Sequence, residues 1–250
     1  MKTLELLFTP AEFAALPHRD LSGTVCVVFD VLRATSTLVT ALANGAAAVI
    51  PVTEIAEARA WREKLPGVLL AGERDGVRIG GAAAPGVEFD LGNSPREFTP
   101  GTVRGKTIVT TTTNGTRALR ACAAAKIVLA GSFLNLRATA KHLAALNPEN
   151  VLLVCSGTGE AAAFEDTLAA GALVDLLAGS HASLRDSAQM ARELFFRFES
   201  DLESAMQLST NARRLLANPD LRDDVAFCLR RNVFTLVTIM GQDGGLRRAD

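Results

Sequence analysis

Val25-Cys-Val-Val-Phe29 is an unbroken apolar run, and Asp30-Val-Leu-Arg-Ala-Thr-Ser-Thr37 follows it at once. Ser36–Asn44 then reads as a helix, with Gly45 placed to end it. The same plan recurs twice in the chain. Lys106–Ala125 carries the turn Thr110-Thr-Thr-Thr-Asn-Gly-Thr-Arg117, and Val151–Leu177 carries Cys155-Ser-Gly-Thr-Gly-Glu160. A strand that ends in such a turn and opens a helix aims free backbone N–H groups at one point. The helix dipole adds partial positive charge there, which suits a phosphate or another oxyanion. Three such junctions, with Arg33, Arg117 and several carboxylates nearby, point to phosphate chemistry.

Outward from these junctions, strands alternate with helices. Leu4–Phe8 reads as a first strand. Thr9, Pro10 and Glu12 then form a helix start with a capping box. Ala48–Thr53 and Val68–Ala71 are strands on either side of the helix Ile55–Lys64. Arg78–Asp90 is rich in Gly, Ala and Pro and reads as a long loop, a length that is usually functional. Asn93 or Ser94 caps a short helix entered through Pro95. Ile127–Ala130 is a strand and Ser132–Leu146 a helix. Ser187–Asn232 is helical and charged, Val233–Met240 a last strand, and Gly241–Asp250 a polar tail. The expected fold class is α/β, with largely parallel or mixed sheets and helices on both faces. No linker cuts the chain, so residues 1–250 form a single α/β chain. The repeated plan leaves room for two similar lobes, about 1–100 and 101–250, sharing one active-site cleft.

Composition bounds the function. Hydrophobic residues make up 48% and charged residues 21%, as in a globular protein. The net charge of −1 gives no reason to expect a nucleic-acid partner. There is no Tyr to act as acid or base. Cys26, Cys122, Cys155 and Cys228 are widely spaced, so reduced thiols in a cytoplasmic protein are expected. The N-terminus is too short and interrupted for a signal peptide, and no apolar run of about 18 residues suggests a membrane span.

Asp30 sits where a strand ends, at the edge where parallel sheets bind ligands. With Arg33, Thr35, Ser36 and Thr37 it offers a carboxylate for Mg²⁺, a guanidinium for phosphate oxygens and three hydroxyls. The same residues could simply cap a turn and a helix. Arg117 in a first helical turn opposes the macrodipole, which makes sense if an anion lies between them. Gly157–Ala162 fits G-x-G-x-x-A, on its own a weak sign of a dinucleotide site; the strand and acid expected after it are missing. Glu165 and Asp166 place carboxylates at the helix start, and Glu73, Asp75, Asp90 and Asn93 ring the central loop, with Asp75 read as a turn residue. His18, His142 and His181 lack metal-ligand spacing. Cys-x5-Arg, Asp-x-Asp after Asp30, and the P-loop are all absent.

Asp30-Val-Leu-Arg-Ala-Thr-Ser-Thr37, Gly72-Glu-Arg74, Phe89-Asp-Leu-Gly-Asn-Ser-Pro95, Thr111-Thr-Thr-Asn-Gly-Thr-Arg117 and Glu165-Asp166 with Ala170-Gly171 together resemble the 2-phosphosulfolactate phosphatase family. The resemblance runs in order from about Val25 to Leu177. It implies a soluble α/β, Mg²⁺-dependent phosphatase that converts 2-phospho-3-sulfolactate to sulfolactate, a step toward coenzyme M in archaea, and it is compatible with a homodimer. On that basis Asp30, Arg33 and Asp166 are the expected catalytic residues. Asp30, Glu73, Asp90, Glu165 and Asp166 supply metal ligands. Arg33, Thr35, Ser36, Thr37, Asn93, Ser94, Thr113 and Gly157 contact substrate, and the turn Asn114, Gly115, Thr116 and Arg117 holds its carboxylate or sulfonate. In-line attack by water is favoured because no nucleophile motif is visible, with Asp30 or Asp166 as attacking carboxylate left open. Two rivals stand beside this: a Rossmann-type nucleotide enzyme using Gly157–Ala162, and a non-catalytic anion-binding protein.

Overall fold

Strand β2 (Thr24–Phe29) is buried at every position. Val25, Val27 and Phe29 belong to one apolar cluster, while Cys26 and Val28 belong to another. Alternate side chains therefore enter two cores, one on each face of the sheet, as expected of a parallel strand covered on both sides. The computed structural model describes residues 1–81, 86, 88–180 and 183–249. His181 and part of the 78–90 loop lie outside them.

The other strands are β1 (Thr3–Leu7), β3 (Ala48–Pro51), β4 (Leu69–Arg74), β5 (Val77–Arg78), β6 (Thr107–Thr111), β7 (Ile127–Gly131), β8 (Asn150–Cys155), β9 (Ser183–Leu184), β10 (Val237–Met240) and β11 (Leu246–Ala249). The helices are α1 (Pro10–Ala14), α2 (Ala34–Ala43), α3 (Ile55–Lys64), α4 (Pro100–Val103), α5 (Gly115–Ala121), α6 (Leu136–Leu146), α7 (Phe164–Leu177), α8 (Asp186–Phe198), α9 (Leu202–Met206), α10 (Thr210–Leu216) and α11 (Arg222–Cys228).

One mixed sheet runs in the order β5-β4-β6-β3-β11-β10-β7-β2-β8-β1-β9. It contains two parallel groups, β7-β2-β8-β1-β9 and β3-β6-β4. The antiparallel hairpin β10–β11 joins them, pairing with β7 on one side and β3 on the other. The α/β class is as expected, but the polar tail is not a tail. Residues 246–249 form the central strand β11, and Leu246 at its start is fully buried. Alternation over so short a segment is masked by Arg247 and Arg248. A division near residue 100 does not follow strand pairing, because β6 lies between β3 and β4.

Three successive antiparallel pairings make the two parallel groups run in formally opposite directions. Twist of roughly 20–25° per strand accumulates to roughly 100–125° over the five steps from β2 to β6. Their C-terminal ends are thus not held at opposite edges of a flat plane. Asn114, just after β6, donates to the carbonyls of Ser156 and Gly159 after β8, at 3.0 and 2.9 Å. Packing of α8 on α7 depends on Gly171, where a Cβ would lie 2.0 Å from the Ala191 carbonyl oxygen.

Candidate active site

Helix α2 begins two residues earlier than its Ser/Thr run suggests, and Asp30 is the reason. Asp30 Oδ1 accepts the Ala34 N–H at 3.0 Å, and its carbonyl accepts the Thr35 N–H at 2.8 Å. Asp30 therefore satisfies two orphan donors of the first turn. The junction also contains a cis Leu32–Arg33 peptide. Against Asp30 lies Gly115, the first residue of α5; a Cβ there would sit 2.5 Å from Asp30 Oδ2. Two of the three recurring junctions therefore touch at one carboxylate.

The third junction joins through Asp166, in the first turn of α7. Its Oδ1 accepts the Val31 N–H at 2.8 Å, and its Oδ2 accepts the Ser156 hydroxyl at 3.1 Å and the Gly157 N–H at 3.2 Å. Glu165 beside it turns the other way, accepting from Ser209 Oγ at 2.6 Å and Asn211 Nδ2 at 3.0 Å. Glu73, at the end of β4, bridges the Thr113 N–H at 2.9 Å, the Thr113 hydroxyl at 3.1 Å and the Gly76 N–H at 2.7 Å.

Glu73, Glu165 and Asp166 are buried, and Asp30 is half-buried at the cavity. Burial pushes the Asp30 carboxyl up to about 6; the Ala34 N–H opposes this, and the charges of Glu73 and Glu165 add to it. Asp166 is raised well above the ordinary range, first by burial and then by Asp30 and Glu165. At Asp30 and Asp166 these neighbouring charges favour binding of a proton or a cation. A cavity of about 160 Å³ opens beside them. Its lining includes Asp30, Glu73, Asn114, Arg33, Asn211 and Arg214.

A family model described as 2-phosphosulpholactate phosphatase matches residues 11–243. A protein of Pseudothermotoga lettingae named "Probable 2-phosphosulfolactate phosphatase" is 42% identical over 235 residues, covering 94% of this chain and 97% of its own. A protein of the same name from Thermotoga petrophila is 44% identical over 221 residues, covering 88% and 91%. The chain belongs to the 2-phosphosulfolactate phosphatase family. It is, by that membership, one of a family of phosphoric monoester hydrolases. No helix among the described residues is long and apolar enough to cross a membrane.

In this family member the expected residues divide sharply. Asp30, Arg33, Glu73, Asn93, Thr113, Asn114 and Gly157 line the cavity. The hydroxyls of Thr35, Ser36 and Thr37 do not. They donate to the carbonyls of Asp30, Val31 and Asn93, because a buried helix start leaves them only backbone acceptors. Thr116 is committed likewise to the Thr112 carbonyl at 3.0 Å. Ser94 Oγ donates to Asp224 at 2.6 Å. Gly115 acts by giving Asp30 room. Asp90 pairs with Arg62 and accepts the Leu70 N–H, away from the cavity. Arg117 faces outward to Glu160 at 3.3 Å, both side chains exposed. The Arg117 charge at the start of α5 is thus answered at the surface by the Glu160 carboxylate.

Arg33 is in place but not free. It is buried, with Nη1 on Asp224 Oδ2 at 2.7 Å and Nη2 on the Gly76 carbonyl at 2.8 Å. Asp224 is shared with Arg96, whose Nε reaches Oδ1 at 2.8 Å and whose Nη1 also meets Asp223 Oδ2 at 3.2 Å, so two carboxylates answer two guanidiniums. Asn211, Arg214 and Asp224 carry no local signal in the sequence. They come from α10 and α11, in a segment whose charge pattern reads only as solvated helix. Asp75, read as a turn residue, has φ 54° and also lines the cavity.

The G-x-G-x-x-A stretch does not build a dinucleotide loop. Thr158 and Ala161 exchange N–H···O bonds at 2.9 and 3.1 Å, which spends amides that would otherwise turn to a pyrophosphate. The four cysteines are free and buried, and burial raises Cys155 well above a thiol's usual pKa. None is placed as a thiolate nucleophile.

The lining oxygens fit a hard divalent cation. Asp30 and Glu73 are carboxylates, and Asn114 Oδ1 is buried with no hydrogen-bond partner. Among the described residues no group of three or more His, Cys, Asp or Glu side chains is placed to hold a metal ion by itself. One or two carboxylates completed by water and phosphate oxygens is the usual habit of Mg²⁺.

Proposed function

We propose that this chain is a Mg²⁺-dependent phosphatase that hydrolyses the phosphate ester of 2-phospho-3-sulfolactate, or of a similar phosphorylated small hydroxy acid. The reading is carried by one observation: half-buried Asp30 lines a small cavity together with Glu73, Asn114, whose buried Oδ1 has no hydrogen-bond partner, and two guanidiniums. Acids alone would repel a phosphate, and arginines alone would only bind it. The names of the relatives supply the substrate.

Asp30, Glu73 and Asn114 Oδ1 would hold the cation, which supplies Lewis-acid polarisation of the phosphoryl group. Arg33, held rigid between Asp224 and Gly76, offers its remaining N–H groups to phosphate oxygens. Asp30 takes a proton from the attacking water as its oxygen bonds to phosphorus. The P–O ester bond breaks opposite, and the alkoxide leaves with a proton from solvent. Asp166 does not line the cavity. Its three hydrogen bonds fit a role in positioning the turns at Val31 and Gly157.

Phosphate release from a panel of phosphorylated hydroxy acids, each with Mg²⁺ and with EDTA, tests the reading. Release with Mg²⁺ and its loss in EDTA are expected. Tight phosphate binding with no hydrolysis of any ester would replace it with a binding protein. Turnover in ¹⁸O-water should label phosphate and leave Asp30 unlabelled; label in Asp30 would replace water attack with a phospho-enzyme.

A further inference from the structure

Arg214 stands at the rim of the cavity that Asp30 lines, on the exposed face of α10. No carboxylate among the described residues lies within ion-pair distance of it. Its Nη2 donates to Asn211 Oδ1 at 2.9 Å. That amide has only one workable orientation. Asn211 Nδ2 is held by the Leu32 carbonyl at 2.7 Å and Glu165 Oε1 at 3.0 Å, both acceptors, so Oδ1 must face Arg214. The same glycine meets both arginines of the site. Gly76 O accepts from Arg33 at 2.8 Å, and a Cβ on Gly76 would lie 3.8 Å from Arg214 Nη2.

The two guanidiniums differ in what they can still do. Arg33 is buried and already paired with Asp224, whereas Arg214 has most of its donor fork uncommitted. A phosphate ester reacting at Asp30 would lie deep in the cavity, and its non-reacting end would point to the rim. Arg117, the other candidate for that end, is turned away toward Glu160.

We propose that Arg214 receives the second anion of the substrate, the carboxylate or sulfonate that carries no ester, and thereby selects phosphorylated hydroxy acids over phosphorylated neutral alcohols. Asn211 is its positioning residue. The inference rests on the phosphatase reading above and names the substrate class of that same site. A guanidinium fork matches such an oxyanion bidentately. Lysine would keep the charge but lose the fork.

The test compares 2-phosphosulfolactate with glycerol 2-phosphate. In Arg214→Gln the ratio of their kcat/KM values should fall by about 30-fold or more, mostly through KM for the acid, with Arg214→Lys in between. Calorimetry gives a readout independent of turnover. The Kd of sulfolactate should rise about tenfold or more in Arg214→Gln, while that of inorganic phosphate moves by less than about threefold. Asn211→Ala, with Arg214 intact but unaimed, should reproduce part of the sulfolactate effect. An unchanged ratio, or equal losses for sulfolactate and phosphate, would overturn the assignment. If the unmodified protein hydrolyses no ester, the phosphatase reading fails, and the sulfolactate titrations still decide Arg214 alone.

Discussion

Arg33 Nη1 donates to Asp224 Oδ2 at 2.7 Å, across 191 positions of chain. The contact pins the β2–α2 junction to α11. Both side chains are buried, Asp224 fully. The pair therefore makes the C-terminal helices part of the site rather than an appendage to it. It also explains why a sheet-edge Arg that looks like a phosphate clamp has two of its donors already occupied.

Removing Asp224 leaves Arg33 buried beside a carbonyl alone. Asp224→Ala should destabilise the fold by about 3–5 kcal/mol, the usual cost of an uncompensated buried charge. Asp224→Asn keeps an acceptor and should cost clearly less. Urea denaturation midpoints at constant m-value measure both. A loss below about 0.5 kcal/mol in Asp224→Ala would show that water, not Asp224, satisfies Arg33.

Glu73 holds two backbone N–H groups and one hydroxyl with two carboxylate oxygens. Glutamine has one acceptor oxygen, so in Glu73→Gln its NH₂ must face either Gly76 N–H or Thr113 N–H. The expected cost is about 1–3 kcal/mol for a buried donor left unmatched. The Mg²⁺ concentration for half-maximal activity should also rise. Unchanged stability together with unchanged Mg²⁺ dependence would remove Glu73 from both roles.

What could be read from the sequence was the local part of the site. Asp30 ends an apolar strand and precedes a helix, and the strand–turn–helix plan carries that information within a few residues. The same holds for the positions of Glu73 and Asn114 and for the Thr9–Glu12 capping box, whereas Glu165 and Asp166, expected as metal ligands, do not line the cavity. The hydroxyls of Thr35, Ser36, Thr37 and Thr116 misled because cap and ligand use the same chemistry. Only the carbonyl that each hydroxyl meets decides between them. Arg214 and Asp224 were invisible for the opposite reason. Their partners lie far away in the chain, and no spacing rule encodes that distance. β11 was hidden because four residues between two antiparallel neighbours need little apolar patterning.

Asp30 couples stability to pH in a direction set by its raised folded pKa. A partly desolvated carboxyl with pKa about 6 against 3.8 unfolded binds its proton more tightly in the fold. Its contribution is fully present below about 3.8 and is lost as pH rises through about 6. The difference of 2.2 units is on the order of 3 kcal/mol. Asp30→Asn stays neutral at all pH. Without Mg²⁺ it should be more stable than the unmodified protein at pH 8, by up to that amount, and nearly equal to it at pH 4. Activity should fall at least about 100-fold. Melting temperatures of both proteins in EDTA across that range give the answer. A stability difference that does not grow with pH would mean that Asp30 is ionised throughout.

Gly115 tests whether the junctions must touch for the chemistry to run. An added Cβ would meet Asp30 Oδ2 at 2.5 Å and Ala34 Cβ at 2.7 Å, and both belong to the α2 junction. Neither neighbour can yield without moving the carboxylate, since Asp30 is tied to the Ala34 N–H. Overpacking of this kind costs about 1–3 kcal/mol. A displacement of even about 1 Å at the reacting centre costs roughly 100-fold in rate. Gly115→Ala should therefore lose kcat far more than it loses stability, with KM for the phosphate ester little changed. If kcat holds while the melting temperature drops, the contact between the two junctions matters for packing and Asp30 works without it.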